Sequence, residues 1–386
     1  MTIRTLAVRG YRSLHEVIVS LGQLTVVTGA NGTGKSNLYR ALGLLAATAT
    51  GELIGSLARS GGLSSVLWAG PESPSPRMER GLVPTQGTVR KKPVSLGLGF
   101  ATDELSYQLD IGLPQPRRTV FHRDPEIKRE VVWVGPVLRP SAILIDRSRN
   151  RVRYTDDAGP RELTWALGPR LSVLDELTDP LAFPEVSGLR RMVRAWRFYD
   201  EFRTDAASPA RQPQVATFTP ALAGDGSDLA PALQTTLESG WAPDLEACIE
   251  DAFPGSSLAI EDAAGRMLVG LTQPGMLRTM LAPELSDGTL RYLMLAAALF
   301  AERPPTLMVL NEPETSLHPQ LLPALGRLIV RASSRCQVVV VTHAKRLVRA
   351  LEEGGALRHE LVKPAGRTFV EGQGLLSVPR WEWAAR

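Results

Sequence analysis

LTVVTGANGTGKSNLYRALGLLAAT, residues 24–48, divides into three pieces with three different rhythms. Leu24 to Thr28 is a short apolar, β-branched run, the pattern of a strand buried on both faces. The glycine loop Gly29–Ser36, GANGTGKS, follows at once. Leu38, Ala41, Leu42 and Leu45 then recur at i, i+3, i+4 and i+7, the spacing of one helix face. A strand that passes through a glycine loop into a helix is suited to holding phosphate. Gly29, Gly32 and Gly34 let backbone N–H groups turn inward, and the helix start adds its positive end. Lys35 has the reach for a β- or γ-phosphate, and the Ser36 hydroxyl suits Mg²⁺. A bare glycine turn before a helix is the plain alternative, and the flanking strand and helix speak against it.

Working outward, three further segments carry chemistry. PTLMVLNEPETSLHP, Pro305 to Pro319, opens with an apolar run suited to a buried parallel strand. Its polar end falls where open α/β sheets bind ligands. Glu312 is there the candidate to orient or deprotonate an attacking water; its alternative is an acid at a helix start, which Pro313 would fit. VVVVTHAKRLV, Val338 to Val348, is a second buried-strand pattern, ending in Thr342 and His343. ELSDGTLRYLMLAAALF, from Glu284, places Ser286 as cap of a helix whose apolar face is Leu290, Leu293, Met294 and Ala297. A serine, a glycine and unpaired N–H groups at a helix start can hold an anion. Ser286 stands 250 positions after Ser36.

Composition sets the class. With 386 residues, 44% apolar and 22% charged, the chain can bury a large core in two or three sub-domains. No apolar run reaches membrane-spanning length and the first residues lack a signal-peptide core, so a cytoplasmic protein without a membrane partner is expected. Cys248 and Cys336 are isolated and suggest neither a disulfide scaffold nor a zinc site. The net charge of +4 permits a nucleic-acid partner without demanding one. Arginine outnumbers lysine, which reads first as a genomic bias.

Residues 3–9 and 15–20 read as two strands around a YRSL turn. The stretch 71–93 is rich in Pro, Ser and Arg and reads as an exposed loop. Period-two patterning from 94 to 156 predicts an antiparallel meander. From 162 to 252 the pattern is mostly helical. In LRRMVRAWRFYDEF, Leu189, Val193 and Trp196 mark one helix face and Arg190, Arg194 and Arg197 the other. A second helix is predicted in DGSDLAPALQTTLES, capped by Asp225 or Ser227. Two strands are predicted in 257–272, with a turn at Gly265. No internal repeat or heptad run is visible.

These motifs, in this order, resemble the ABC-type ATPase heads of the RecF, SMC and OLD-like group. GANGTGKSN resembles their Walker A, LSDGT their signature, LMVLNEPETSLHP the Walker B strand with D-loop in the EPE…LHP form, and Thr342–His343 the switch histidine. The opening RGYRSL is similar to the first strand-turn of RecF-like heads. The likeness covers about 1–50 and 283–350. It implies an α/β P-loop NTPase fold with an inserted antiparallel β lobe and a helical arm. The parts would be 1–70, head with Walker A; 71–160, loop and β lobe; 161–280, helical arm; and 281–386, the rest of the head. The cofactors implied are ATP and Mg²⁺. ATP would lie on Gly29, Asn31, Gly32, Thr33, Gly34, Lys35, Ser36 and Asn37, with Glu312, His343 and Lys35 catalytic. Ser286, Asp287 and Gly288 of a second copy would reach the γ-phosphate, making an ATP-dependent homodimer.

Three departures qualify the likeness. Asn311 stands where most relatives hold Mg²⁺ with Asp, leaving Ser36 and Asn311 as the metal pair. His318 replaces the usual D-loop Asp, and no glutamine loop is assignable after the first helix. Slow hydrolysis is expected. The 43 residues after His343 are too few for a nuclease domain, so the chain reads as a head without its own effector chemistry. Two roles follow. One is an ATP-gated clamp on double-stranded DNA, in repair or phage defence, touching it through Arg190, Arg194 and Arg197 and through Arg77, Arg80, Arg90, Lys91 and Lys92. The other is an ATP-sensing regulator of a separate effector protein, such as a nuclease or toxin. For the basic residues, a merely solvated surface is the alternative.

Overall fold

The computed structural model describes residues 1–72, 94–114, 120–156, 159–200, 202–374 and 376–385. The loop expected at 71–93, with Arg77, Arg80, Arg90, Lys91 and Lys92, lies almost wholly outside them. Two compact units divide the chain: Met1–Gly22, Val27–Trp196 and His359–Arg386 in one, Gln23–Val26 and Arg197–Arg358 in the other.

Alternation of apolar and polar residues builds the first unit. β1 (Ile3–Tyr11) and β2 (Leu14–Ser20) form a hairpin, with Arg12 at its turn in the left-handed region, φ 49°. β3 (Leu24–Gly29) carries the chain from the second unit into the first. The period-two stretch becomes β4 (Leu96–Thr102), β5 (Leu105–Gly112), β6 (Glu126–Val134), β7 (Ile143–Ser148), β8 (Arg151–Asp156) and β9 (Gly159–Glu162). With β1 and β2 these six form an eight-stranded antiparallel sheet of order β2-β1-β4-β5-β6-β7-β8-β9. The meander therefore continues the N-terminal hairpin, because β4 pairs with β1. The helix Lys35–Thr48 lies against β1, β4 and the helix Pro184–Arg194, and Leu38, Ala41, Leu42 and Leu45 are among its buried residues.

A buried ion pair ties this unit together. Glu130 on β6 and Arg147 on β7 are fully buried and 3.0 Å apart. Tyr107, Ser172 and the Val173 N–H also donate to Glu130, and Arg147 donates to the carbonyls of Gly168 and Leu171. Each charge is thus matched by several partners, the condition for tolerating it in a core.

Apolar continuity builds the second unit. β10 (Arg197–Tyr199), β15 (Leu307–Asn311) and β16 (Gln337–Val341) are parallel neighbours, and β15 and β16 are buried at every position. A second sheet holds β11 (Gln214–Val215), β12 (Ser257–Ala263), β13 (Arg266–Thr272) and β14 (Met280–Leu281). The β12–β13 turn falls on Ala264 and Gly265, both with positive φ. The helices Leu229–Leu237, Ala242–Ala252, Asp287–Leu299, Leu322–Ala332 and Lys345–Glu353 complete the unit. Cys248 and Cys336 are buried free thiols. Among the described residues no helix is long and apolar enough to cross a membrane.

Two local expectations are corrected. The helix in LRRMVRAWRFYDEF ends at Arg194, and Arg197 opens strand β10. The run Arg197–Tyr199 pairs with β15 instead of continuing a helix, so Arg197 does not share the helix of Arg190 and Arg194; Arg190 lies 3.6 Å from Asp175. Neither Asp225 nor Ser227 caps the helix Leu229–Leu237. Its N-cap is Asp228, whose carboxylate instead accepts the Ala223 N–H at 2.8 Å. The stretch 161–280 also carries β10 to β13 beside its helices.

The first unit returns in β17 (Leu357–Val362) and β18 (Phe369–Val370), an antiparallel pair. On β17 the buried His359 ring donates to the Ser20 carbonyl at 2.7 Å. Burial pushes its pKa below the ordinary 6.5, because a charged ring there would lose solvation. His15 is lowered too, by burial and then by Arg367. A depressed histidine stabilises the fold fully above the unfolded-state pKa. As pH falls through that value, the unfolded chain binds protons that the folded rings refuse. The urea midpoint is expected to drop between about pH 7.5 and about pH 5.5, and His359→Gln to shrink the drop. Equal drops in both proteins would contradict the assignment.

Candidate nucleotide site

In the first unit the glycine loop folds back over its own lysine. Lys35 is buried, and Nζ donates to the carbonyls of Gly29 at 2.7 Å and Ala30 at 2.9 Å. Thr33 Oγ1 donates to the Ala30 carbonyl at 2.8 Å. Asn31 and Gly32 are exposed at the loop tip, and Ser36 and Asn37 are half-buried in the first helical turn. Gly34 is required on two counts. Its φ is 107°, and a Cβ there would come within 2.4 Å of Thr368 Oγ1 and 2.8 Å of Ser13 Oγ. Gly29, at φ 141°, would press a Cβ to 2.3 Å from the Leu361 carbonyl oxygen.

Ser13 and Thr368 were not found from the sequence. Their hydroxyls are 2.8 Å apart, Thr368 donates to the Thr33 carbonyl at 2.7 Å, and Asn37 donates to Ser13 at 3.0 Å. This small network anchors the loop from both ends of the chain. No local pattern announces it, because its members are 355 residues apart.

In the second unit the polar residues gather at the C-terminal ends of the three parallel strands, as open α/β sheets favour. Glu312 follows β15 with φ 45°, a left-handed conformation costing a non-glycine residue on the order of 1 kcal/mol. Its N–H is held by the Val341 carbonyl at 2.7 Å. Residues 312–316 form turns and the next helix begins at Leu322, so Glu312 is not a helix-start acid. His343, after β16, brings Nδ1 to 3.6 Å from Glu312 and 3.4 Å from Glu314. His318 is exposed and accepts the Gln320 N–H at 3.3 Å.

Glu314 had no role in the sequence reading. It is buried, and Oε1 accepts from the Thr342 hydroxyl and from the N–H groups of His343 at 3.2 Å and Ala344 at 3.3 Å. One carboxylate thus shapes the loop that presents His343, while Glu312 keeps a half-exposed carboxylate beside the same ring.

Asn311 ends β15, buried. Its Nδ2 donates to Asp200 Oδ1 at 2.6 Å, and its Oδ1 is a buried acceptor with no hydrogen-bond partner. Buried orphan acceptors are rare, and this one stands beside a carboxylate. A hard divalent cation suits such an oxygen pair. Among the described residues no three His, Cys, Asp or Glu side chains form a metal cluster by themselves. Mg²⁺ fits that donor set, since it binds through one or two carboxylates with phosphates and water supplying the rest.

In the LSDGT segment Ser286 and Asp287 are exposed at the start of the helix Asp287–Leu299, and Leu285 is buried. Ser286 caps that helix, accepting the Thr289 N–H at 3.2 Å. Arg211, which sequence reasoning missed, donates to Asp287 at 2.7 Å and to the carbonyls of Ala282 and Leu285, fixing the turn's entry. Gly288 lies so close to the D-loop that a Cβ would meet the Ser316 carbonyl oxygen at 2.9 Å. Arg291, one turn on, donates to the carbonyls of Asp200 and Glu312. The signature helix and the acidic strand end are therefore joined inside one unit.

Residues 24–349 match the family described as "AAA domain, putative AbiEii toxin, Type IV TA system". The chain belongs to this AAA-domain family. No curated protein matches its sequence. Among solved structures, the "SmcHead bound to the C-winged helix domain of ScpA" is similar over 97% of this chain and 99% of that chain, at 14% identity and a TM-score of 0.58. An SMC head domain from Thermotoga maritima (15% identity, TM-score 0.43) covers 97% of this chain and 100% of its own. An Smc head domain from Pyrococcus furiosus, bound to the C-terminal domain of ScpA, gives 13% and 0.48, over 96% of this chain and 95% of that chain. The fold of this AAA domain is SMC-head-like, a mixed α/β P-loop architecture with an antiparallel sheet.

Proposed function

We propose that the chain binds ATP with Mg²⁺ and hydrolyses it slowly, and that two copies close around the nucleotide. ATP rests on Gly29 to Asn37 of one copy, with Lys35 on its phosphates. Glu312 orients the attacking water, and His343 contacts the terminal phosphate. Ser286, Asp287 and Gly288 of the other copy complete the site. The observation that carries this reading is the second-unit cluster, in which a strained, half-exposed Glu312 after β15 meets His343 after β16 while Glu314 shapes the His343 loop. ATP binding and phosphate release by the purified chain test it, and no affinity for ATP with or without Mg²⁺ would overturn it.

Of the two cellular roles, control of a separate effector protein is the better supported. The argument for a DNA clamp leaned on a helix face of Arg190, Arg194 and Arg197, which Arg197 has left for a strand, and on loop residues that lie outside those described. The family description names a toxin–antitoxin system, and a similar head was solved with a bound protein domain. Co-purification in ATP against duplex binding at low salt separates the two. Duplex affinity that appears only with ATP and falls steeply with salt would return the clamp to first place.

A further inference from the structure

We propose that Asp200 and Asn311, side by side in the second unit, hold a divalent cation of the Mg²⁺ type, Asp200 supplying from the neighbouring strand's end the charge that Asn311 lacks. The proposal rests on the ATP reading above and deepens it.

Parallel register carries the argument. Arg197, Phe198 and Tyr199 of β10 lie opposite Met308, Val309 and Leu310 of β15. Asp200 follows the last residue of β10 and Asn311 is the last residue of β15, so an acid stands beside an amide where β15 gives way to Glu312. The two side chains are bonded at 2.6 Å, Nδ2 donating to Oδ1. That bond fixes the orientation of the amide. With its N–H₂ committed to Asp200, the Asn311 carbonyl oxygen has to face elsewhere, and it is buried without a donor. A cation, or a water bound to one, is the partner such an oxygen calls for. Asp200 is exposed, and its bond to Asn311 occupies one of its two oxygens. Its backbone is steadied by Arg291, which donates to the Asp200 carbonyl at 3.1 Å.

Chemistry favours this division of labour. An amide offers one neutral oxygen, too little to draw Mg²⁺ from its hydration shell. An amide with an adjacent carboxylate offers two hard oxygens and one negative charge, matching a site that keeps several waters and shares its metal with phosphates. A merely structural reading also exists, in which Asp200 only anchors the Asn311 amide. It predicts a change in stability on mutation and none in metal affinity, so the metal must be read directly.

The experiment titrates Mn²⁺ into full-length protein with saturating ATP, counting free Mn²⁺ by electron paramagnetic resonance; ATP affinity in EDTA is measured alongside. Asp200→Asn is expected to weaken Mn²⁺ binding at least tenfold, about the lower bound for losing such a ligand, and to leave metal-free ATP affinity unchanged. The exchange variant Asp200→Asn with Asn311→Asp keeps both the hydrogen bond and the charge, and is expected to return Mn²⁺ affinity to within about threefold of wild type. Unchanged Mn²⁺ affinity in Asp200→Asn, with ATP still bound, would overturn the proposal and spare the nucleotide reading. Wild-type protein that binds no ATP would overturn both. If Asp200→Asn misfolds, the exchange variant decides alone: wild-type-like Mn²⁺ affinity supports the proposal, and a tenfold loss in that folded protein contradicts it.

Discussion

Glu312→Gln is expected to slow ATP turnover on the order of 100-fold or more while ATP affinity stays within about threefold of wild type. The amide has the size of the carboxylate and can still accept a hydrogen bond, but it cannot take a proton from water. Glu312 sits half-exposed beside His343, with its backbone pinned by Val341 and bent into a positive φ. A residue held in that conformation without a glycine signals that the fold sets its direction. Glu314 is the control. Its buried Oε1 is occupied by Thr342 and by two loop N–H groups. Glu314→Gln therefore acts by loosening the His343 loop and should slow turnover less than Glu312→Gln. Phosphate-release rates for the two variants check this, and the reverse ranking would make Glu314 the residue acting on water.

The second large effect is expected at Lys35. Lys35→Ala should weaken ATP binding about 100-fold, which is close to 3 kcal/mol, measured by calorimetry with and without Mg²⁺. The lysine is buried among carbonyls of its own loop, bonded to Gly29 and Ala30. Removing it deletes the positive charge in the loop and leaves those two carbonyls without their donor. An affinity within threefold of wild type would mean that phosphates bind elsewhere.

How far the sequence could be read follows from how local each feature is. The strand, glycine loop and helix were legible because they lie within one short run. The meander was legible because burial of one sheet face imposes a period of two. Ser286 was legible because a cap acts on its own helix, and the structure has it bonded to Thr289. Contacts made by distant segments were not legible. Ser13 and Thr368 brace the phosphate loop from opposite ends of the chain, and Arg211 reaches Asp287 across 76 positions. Asp200 was hidden for a different reason. Trp196 to Tyr199 continues a helical spacing in sequence, and only pairing with β15 turns Arg197–Tyr199 into a strand. That misreading concealed the acid beside Asn311 and placed Arg197 on a helix face with Arg190 and Arg194, although it lies on a strand. Glu314 lay in plain view within NEPETS, yet its task depends on where the loop after β16 comes to lie.

The idea on which the account depends is that ATP joins two copies of the chain through the exposed Ser286 turn. The molar mass of Glu312→Gln in solution with Mg²⁺ and ATP, by light scattering, tests it most directly. The account predicts the mass of two chains with ATP and of one chain without it, and reversion to one chain when Ser286→Arg is added. A single-chain mass for Glu312→Gln while ATP is demonstrably bound would contradict it.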